Sequence, residues 1–330
     1  MSKKTIAIML PAAVVAIVSV LAFCKRDAED VTFRRNSGFV FGTSYNITYQ
    51  SAEDYETEIK AVMDSVDLSL SPFNKNSIIS AVNENKDVEV DDNFINVFTL
   101  AKEVNAKTDG AFDITVAPLV NAWGFGFKDG KFPNAREIDS LRAIVGLEKV
   151  RLEGRKVIKA DRRIMLDCSA IAKGYAVDKV AEMLGRKGVS NYLVEIGGEI
   201  VARGHNAKNK EWSIGITKPV DDSLSLNNSL QNTITITDCA IATSGNYRNY
   251  YIKDGHKYSH TIDPKTGYPA ETDLLSVTII AKTCAEADAY ATGFMTSGRQ
   301  KALAILKSQP EKRYILYYDE DGQIKSDIQK

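Results

Sequence analysis

The sequence predicts an α+β protein: mixed, mainly antiparallel sheets flanked by helices. Three observations carry that reading. Segments with strand patterning outnumber those with helical patterning. The two kinds do not alternate strictly, as a doubly wound parallel sheet requires. Several strand pairs are joined by short turns, as in "KVRLEGRKVIKA" and "KRYILYYDEDGQIK", which read as hairpins. With 44% hydrophobic and 26% charged residues, a chain of 330 residues has material for a full core in one large domain or two ordinary ones. A formal net charge of −1 gives no electrostatic footprint for nucleic acid.

Taken in order, "MSKK" is followed by a charge-free run from Thr5 to Cys24 and then by "KRDAED". A basic start, an apolar run and a Cys read as a bacterial lipoprotein signal with Cys24 lipidated. Phe23 stands where a small residue is usual. The run also has the ~20 residues of an uncleaved membrane anchor. Either way residues 1–24 are signal or anchor and the rest faces the periplasm. Residues 25–37 read as a polar linker, and 38–330 as the folded part.

"GFVFGTSYNITYQ" alternates as a strand interrupted at Gly-Thr. "EDYETEIKAVMDSVDLSL" puts Tyr55, Ile59, Val62, Met63 and Val66 on one helical face. "DDNFINVFTLAKEVNAKT" does the same with Phe94, Val97, Phe98, Ala101 and Val104, with Asp92 as its cap. Asn134 to Val145 reads as a helix stopped by Gly146, and "AVDKVAEMLGRKG" as another with a glycine stop. "NYLVEIGGEIVARG", "EWSIGITKP", "NTITITDCAIATS", "YRNYYIKDGHKYSHTI" and "LLSVTIIAK" read as strands. "TCAEADAYATGFMTSG" and "RQKALAILKS" read as helices before the last hairpin. Cys168, Cys239 and Cys284 show no C-x-x-C spacing, so no zinc site is indicated and buried free thiols are expected.

Five stretches carry chemistry. "TDGAFDITVAPLVNAWGFG" surrounds Trp123 and Phe125 with Gly124 and Gly126. It reads either as a loop covering the core or as a seat for a flat aromatic ligand. "LDCSAIAKGYAVDKV" runs from a short apolar strand ending at Asp167 to Lys173-Gly174 at a helix start, where phosphate is attracted. The glycine pair of "EIGGEI" reads as a bulge or as a close approach of ligand or backbone. In "EADAYATG", Asp288 and Thr292 lie four apart, so their oxygens share one helix face. Such a pair suits Mg²⁺, although a solvated face is the ordinary reading of any one Asp/Thr pair. Finally "SHTIDPKTGYPA" places His260, one of three histidines, at the entry to a loop framed by Pro264, Gly267 and Pro269. A turn needs the Gly and Pro but not the histidine.

In their order along the chain, eight stretches resemble the ApbE family of FAD:protein FMN transferases from about Gly38 to the end. They are "GTSYNITY", "SPFNKNSIISAVNEN", "DGAFDITVAPLVNAWGFG", "DCSAIAKGYAVDKVAEML", "NYLVEIGGEI", "ATSGNYRNYY", "HTIDPKTGYPA" and "ADAYATGFM". Phe41 stands where that family often has Met, and Phe73 where a Tyr is common.

The resemblance implies FAD in a cleft between two lobes, with Mg²⁺, and transfer of its FMN half to a Thr or Ser hydroxyl of an acceptor protein with release of AMP. Known acceptors of the family include subunits of sodium-pumping NADH:quinone oxidoreductase and Rnf-type complexes. By motif position Asp288, Thr292 and the carbonyl of Ala170 would hold the metal. Asp167, Lys173 and Ile262 would contact FAD, and Trp123, Gly124 and Phe125 would line the flavin pocket with Phe41 and Phe73. Asp288 and His260 would be the catalytic pair, because an acceptor hydroxyl needs a base and histidine is poised near neutral pH. Asp263 reads as a loop-shaping residue or a partner of His260. Two alternatives use the same residues: a Mg²⁺-dependent FAD diphosphatase giving FMN and AMP, and a flavin-binding lipoprotein without catalysis.

Overall fold

An eight-stranded sheet organises the protein. The computed structural model describes residues 32–127, 132–217, 219, 230–246, 250–253 and 256–329. The expected signal and most of the expected linker lie outside them. Strand β1 (Phe33–Val40) pairs with β2 (Thr43–Gln50) through a tight turn at Phe41-Gly42. Residues 33–37, expected to be linker, are therefore sheet; their arginines and asparagine hide a strand whose backbone pairs in full. A short hairpin β3 (Val150–Glu153) and β4 (Lys156–Lys159) follows separately. The sheet continues with β5 (Tyr192–Ile196), β6 (Glu199–Arg203), β9 (Cys239–Gly245), β12 (Leu274–Ala281), β13 (Arg313–Glu320) and β14 (Gln323–Gln329). Spatial order is β1-β2-β5-β6-β9-β12-β13-β14. Every described pairing is antiparallel.

The side-chain alternation of a strand divides the core in two. On β9, Ala240 and Ala242 face the larger cluster and Ile241 the smaller; on β13, Leu316 and Ile315 divide likewise. The smaller cluster is roofed by a hairpin of β7 (Trp212–Thr217) and β8 (Leu230–Ile236), through Trp212, Ile214, Ile234 and Ile236. A further hairpin, β10 (Tyr250–Lys253) and β11 (His256–Ser259), leads into the His260 loop.

Helices α1 (Glu56–Leu70), α2 (Ile78–Asn83), α3 (Asp92–Lys107), α6 (Ala172–Arg186), α7 (Cys284–Ser297) and α8 (Arg299–Lys307) pack into the larger cluster, whereas α4 (Ala117–Ala122) and α5 (Ala135–Arg142) bury their residues elsewhere. Tyr55, Ile59, Met63 and Val66 are buried as expected, with Val62 packed at the margin. Helix α3 is capped by Asp91, whose carboxylate accepts from Phe94 N–H at 2.9 Å, not by Asp92, which lies in the first turn and pairs with Arg155. A third cluster of Leu119, Trp123, Ile138, Val145 and Ile262 joins α4 and α5 to the His260 loop.

Candidate active site

A cavity of about 940 Å³ opens between the sheet with its helices and this third cluster. Its walls come from the β1–β2 turn, the loop after α1, residues 111–125, residues 167–173, the β5–β6 turn, the end of β9, the His260 loop and one face of α7. Among the residues expected from sequence it gathers Phe41, Phe73, Phe125, Asp167, Ala170, Lys173, His260, Ile262, Asp288 and Thr292.

The polar end is built on two crossing helices. Gly174, near the start of α6, lies so close to α7 that a Cβ would stand 2.4 Å from the carbonyl oxygen of Cys284. Its N–H is one of the donors a helix start leaves without an internal partner, and it donates to Asp288 Oδ2 at 3.1 Å. One turn on, half-buried Asp178 accepts from Cys284 N–H and Ala285 N–H, both at 2.8 Å. Thr283, at the N-cap of α7, makes no side-chain cap, so Asp178 supplies the cap from the neighbouring helix. Burial pushes Asp178 up to about 7, against the lowering effect of those two N–H groups. Helix α7 is thereby fixed against α6, and Asp288 and Thr292 face the cavity from it. Thr292 Oγ1 lies 3.1 Å from Ser244 Oγ on β9.

Lys173 lies between two buried carboxylates. Its Nζ is 3.2 Å from Glu199 Oε1 and 3.7 Å from Asp288 Oδ2. Burial opposes its charge, but Asp288 and Glu199 outweigh this and push its pKa up. Burial pushes Glu199 up as well, only partly offset by Lys173. Glu199 is 4% exposed, and its Oε2 has no hydrogen-bond partner in the protein. One ammonium against two carboxylates leaves this end with a net negative charge. The Asp288 carboxylate, the Thr292 hydroxyl and the carbonyl-bearing Ala170 all line the cavity, an oxygen donor set that fits a hard cation. Among the described residues no group of three or more His, Cys, Asp or Glu could hold a metal, so a cation here would depend on this mixed set.

His260, also on the cavity wall, follows β11 and has its ring 6.5 Å from that of Phe125. The loop behind it is closed by its own backbone: Asp263 N–H donates to Tyr268, Gly267 N–H to Asp263 and Ala270 N–H to Thr261. The Asp263 carboxylate accepts from Lys265 N–H at 2.8 Å, the loop-shaping role expected of it. Trp123 Nε1–H donates to the carbonyl of Gly267 at 2.8 Å, and Arg142 Nε–H to that of Lys265 at 2.7 Å. Trp123 is 5% exposed and sits in the third cluster. Neither it nor Gly124 lines the cavity, contrary to expectation; the indole fastens the His260 loop from behind, because a buried N–H needs an acceptor and Gly267 supplies it.

Other expectations hold or change with the geometry. Lys173 is in the first turn of α6, as expected, and lines the cavity with its ammonium beside two carboxylates. Gly197 and Gly198 form not a bulge but the two-residue turn of the β5–β6 hairpin, with φ of +65° and +103°, and Gly197 lines the cavity. Residues before Asp167 form no strand; the Asn83 side chain instead bonds both Leu166 N–H and Leu166 C=O. Asp167 accepts from Ser169 N–H at 2.8 Å. Cys168 and Cys284 are buried free thiols, and Cys239 is half-buried and free. Glu199 was not among the expected site residues; its only signal is an acid directly after a Gly-Gly turn, followed by three apolar residues.

Known proteins share this architecture. A curated relative from Vibrio cholerae, named FAD:protein FMN transferase, is 38% identical over 93% of this chain and 93% of its own. The solved structure titled flavin transferase ApbE from Vibrio cholerae superposes with a TM-score of 0.82 at 36% identity, covering 90% of this chain and 97% of that one. The Pseudomonas stutzeri flavinyl transferase ApbE, in its apo form, gives 0.81 at 30% identity, over 91% and 95%. The family model described as ApbE family matches residues 41–316, and the chain belongs to that family.

Proposed function

We propose that this chain is an FAD:protein FMN transferase: it moves the FMN half of FAD to a Thr or Ser hydroxyl of an acceptor protein and releases AMP. The observation that carries the reading is the single cavity joining an aromatic mouth at Phe41, Phe73 and Phe125 to the oxygen donors of α7, with His260 on its wall. About 940 Å³ suits a dinucleotide, near the upper end of ordinary ligand pockets. Relatives carrying that name over nine-tenths of the chain support it.

Asp288, Thr292 and the Ala170 carbonyl would hold Mg²⁺, which as a Lewis acid would neutralise pyrophosphate charge. His260 takes the proton of the acceptor hydroxyl. The hydroxyl oxygen forms the new bond to the phosphorus of the FMN half, and the P–O bond to AMP breaks with its electron pair leaving on AMP. Phe41, Phe73 and Phe125 offer the flavin apolar surface. The reading extends to place: a chain held at the outer face of the cytoplasmic membrane, acting on membrane-bound acceptors such as sodium-pumping NADH:quinone oxidoreductase or Rnf-type subunits.

The test mixes protein, FAD, Mg²⁺ and an acceptor domain, then reads flavin fluorescence of the acceptor band on a denaturing gel and AMP release. A fluorescent band is expected, lost in Asp288→Ala while FAD still binds. Free FMN without a labelled band would make water the acceptor. FAD bound but unconverted would leave only a carrier.

A further inference from the structure

We propose that Glu199 is a positioning residue that draws the Lys173 ammonium off Asp288, keeping the Asp288 carboxylate open to a divalent cation. The inference rests on the reading of Asp288 as a cation ligand. Three observations lead to it. Lys173 Nζ is within hydrogen-bond reach of Glu199 Oε1, at 3.2 Å, and beyond that of Asp288 Oδ2, at 3.7 Å. Glu199 is 4% exposed and its Oε2 lacks a protein partner, so its buried charge leans on the Lys173 ammonium at Oε1. The residue lines the same cavity as Asp288 and Thr292.

Charge arithmetic gives the idea its sign. In the native set, one ammonium and two carboxylates present a net single negative charge to an incoming cation. With Glu199→Gln the ammonium has one anion left, Asp288. The pair closes, the set becomes neutral, and a cation must displace the lysine. With Lys173→Met as well, only the Asp288 carboxylate remains and the net single negative charge returns. The double variant therefore has the native charge without either native side chain. Lys173→Met alone leaves two negative charges and should bind cations most tightly of all.

The experiment titrates Mn²⁺ alone into the folded full chain and follows the free-ion signal by electron paramagnetic resonance, with circular dichroism as the check on folding. Glu199→Gln is expected to weaken Mn²⁺ binding by about tenfold or more, and Lys173→Met/Glu199→Gln to return it to within about threefold of wild type, a coupling of the size contacting residues show. A merely structural Glu199, or one that ligates the cation itself, predicts a double variant as weak as the single one, and that result overturns the proposal. So does Glu199→Gln binding at the wild-type affinity. If Glu199→Gln fails to fold, the double variant, which buries no unpaired lysine, decides by the same criterion. Asp288→Asn separates the two levels. Mn²⁺ binding that survives it removes the cation site itself; binding lost in Asp288→Asn but unmoved in Glu199→Gln removes only the present inference.

Discussion

His260 is one of three histidines, and the protein spends a closed loop, an indole and an arginine on holding it at the cavity wall. As the base for the acceptor hydroxyl, its loss in His260→Ala should slow transfer by about 10²–10⁴-fold, the usual share of a positioned acid or base. FAD affinity, measured by fluorescence quenching, should stay near wild type; a variant that loses FAD instead would make His260 a cofactor contact. Phe41 shows a different residue-scale tension. Its φ is +52°, a conformation that costs a bulky residue about 1–3 kcal/mol, and it lines the cavity. Phe41→Asn should raise the melting temperature and weaken FAD binding, and a variant unchanged in both would remove the trade-off. The sequence shows the aromatic at such a position but not its backbone angle. Trp123 makes the same point: its size is legible, whereas the carbonyl that its N–H faces lies 144 residues away.

The active site depends on how two helices meet. Asp288 and Thr292 were legible because four-residue spacing on a helix is a local rule. That Gly174 and Asp178 on α6 pin the helix bearing them was not, because both contacts cross more than 100 residues of chain. A methyl group on Gly174 would meet Cys284 backbone at 2.4 Å, and backbone does not yield as a side chain does. Gly174→Ala should cost about 1–3 kcal/mol in denaturant unfolding and displace Asp288, weakening Mn²⁺ binding with it. Asp178 adds a pH signature. Its carboxyl is raised from 3.8 to about 7, so between those values the folded chain keeps a proton that the unfolded chain has released. Its contribution to stability is full below the lower value and is lost as pH rises through the upper one. Melting temperature across that window should therefore fall less steeply in Asp178→Asn than in wild type; parallel curves would remove the assignment. Short elements were the least legible: α4 is hidden in a stretch that reads as an aromatic loop, and Asp91 and Asp92 are equal as caps until the chain direction before them is known.

For the whole molecule, antiparallel α+β architecture was legible because strand alternation and hairpin turns are local and repeated, while the order of strands in the sheet is set by pairings far apart in sequence. That order has a consequence for reach. With Cys24 as a lipid anchor, the eight residues from 25 to 32 before β1 span at most about 29 Å when fully extended. β1 adds eight residues, about 27 Å, and ends at the Phe41-Gly42 turn on the cavity wall. The site then lies within about 60 Å of the membrane surface, which suits an acceptor hydroxyl on a membrane-bound subunit. Mature protein from membranes is expected to begin at Cys24 with acyl chains, seen by mass spectrometry, and Cys24→Ser to accumulate unprocessed. A chain still beginning at Met1 or Ser2 would replace the lipid anchor by a spanning one. In either case a chain starting at residue 32 should label a soluble acceptor domain at the wild-type rate in vitro, since the sheet begins at Phe33, and should lose labelling of membrane-bound acceptors in cells. Equal labelling in cells would show that the tether does not set the acceptor.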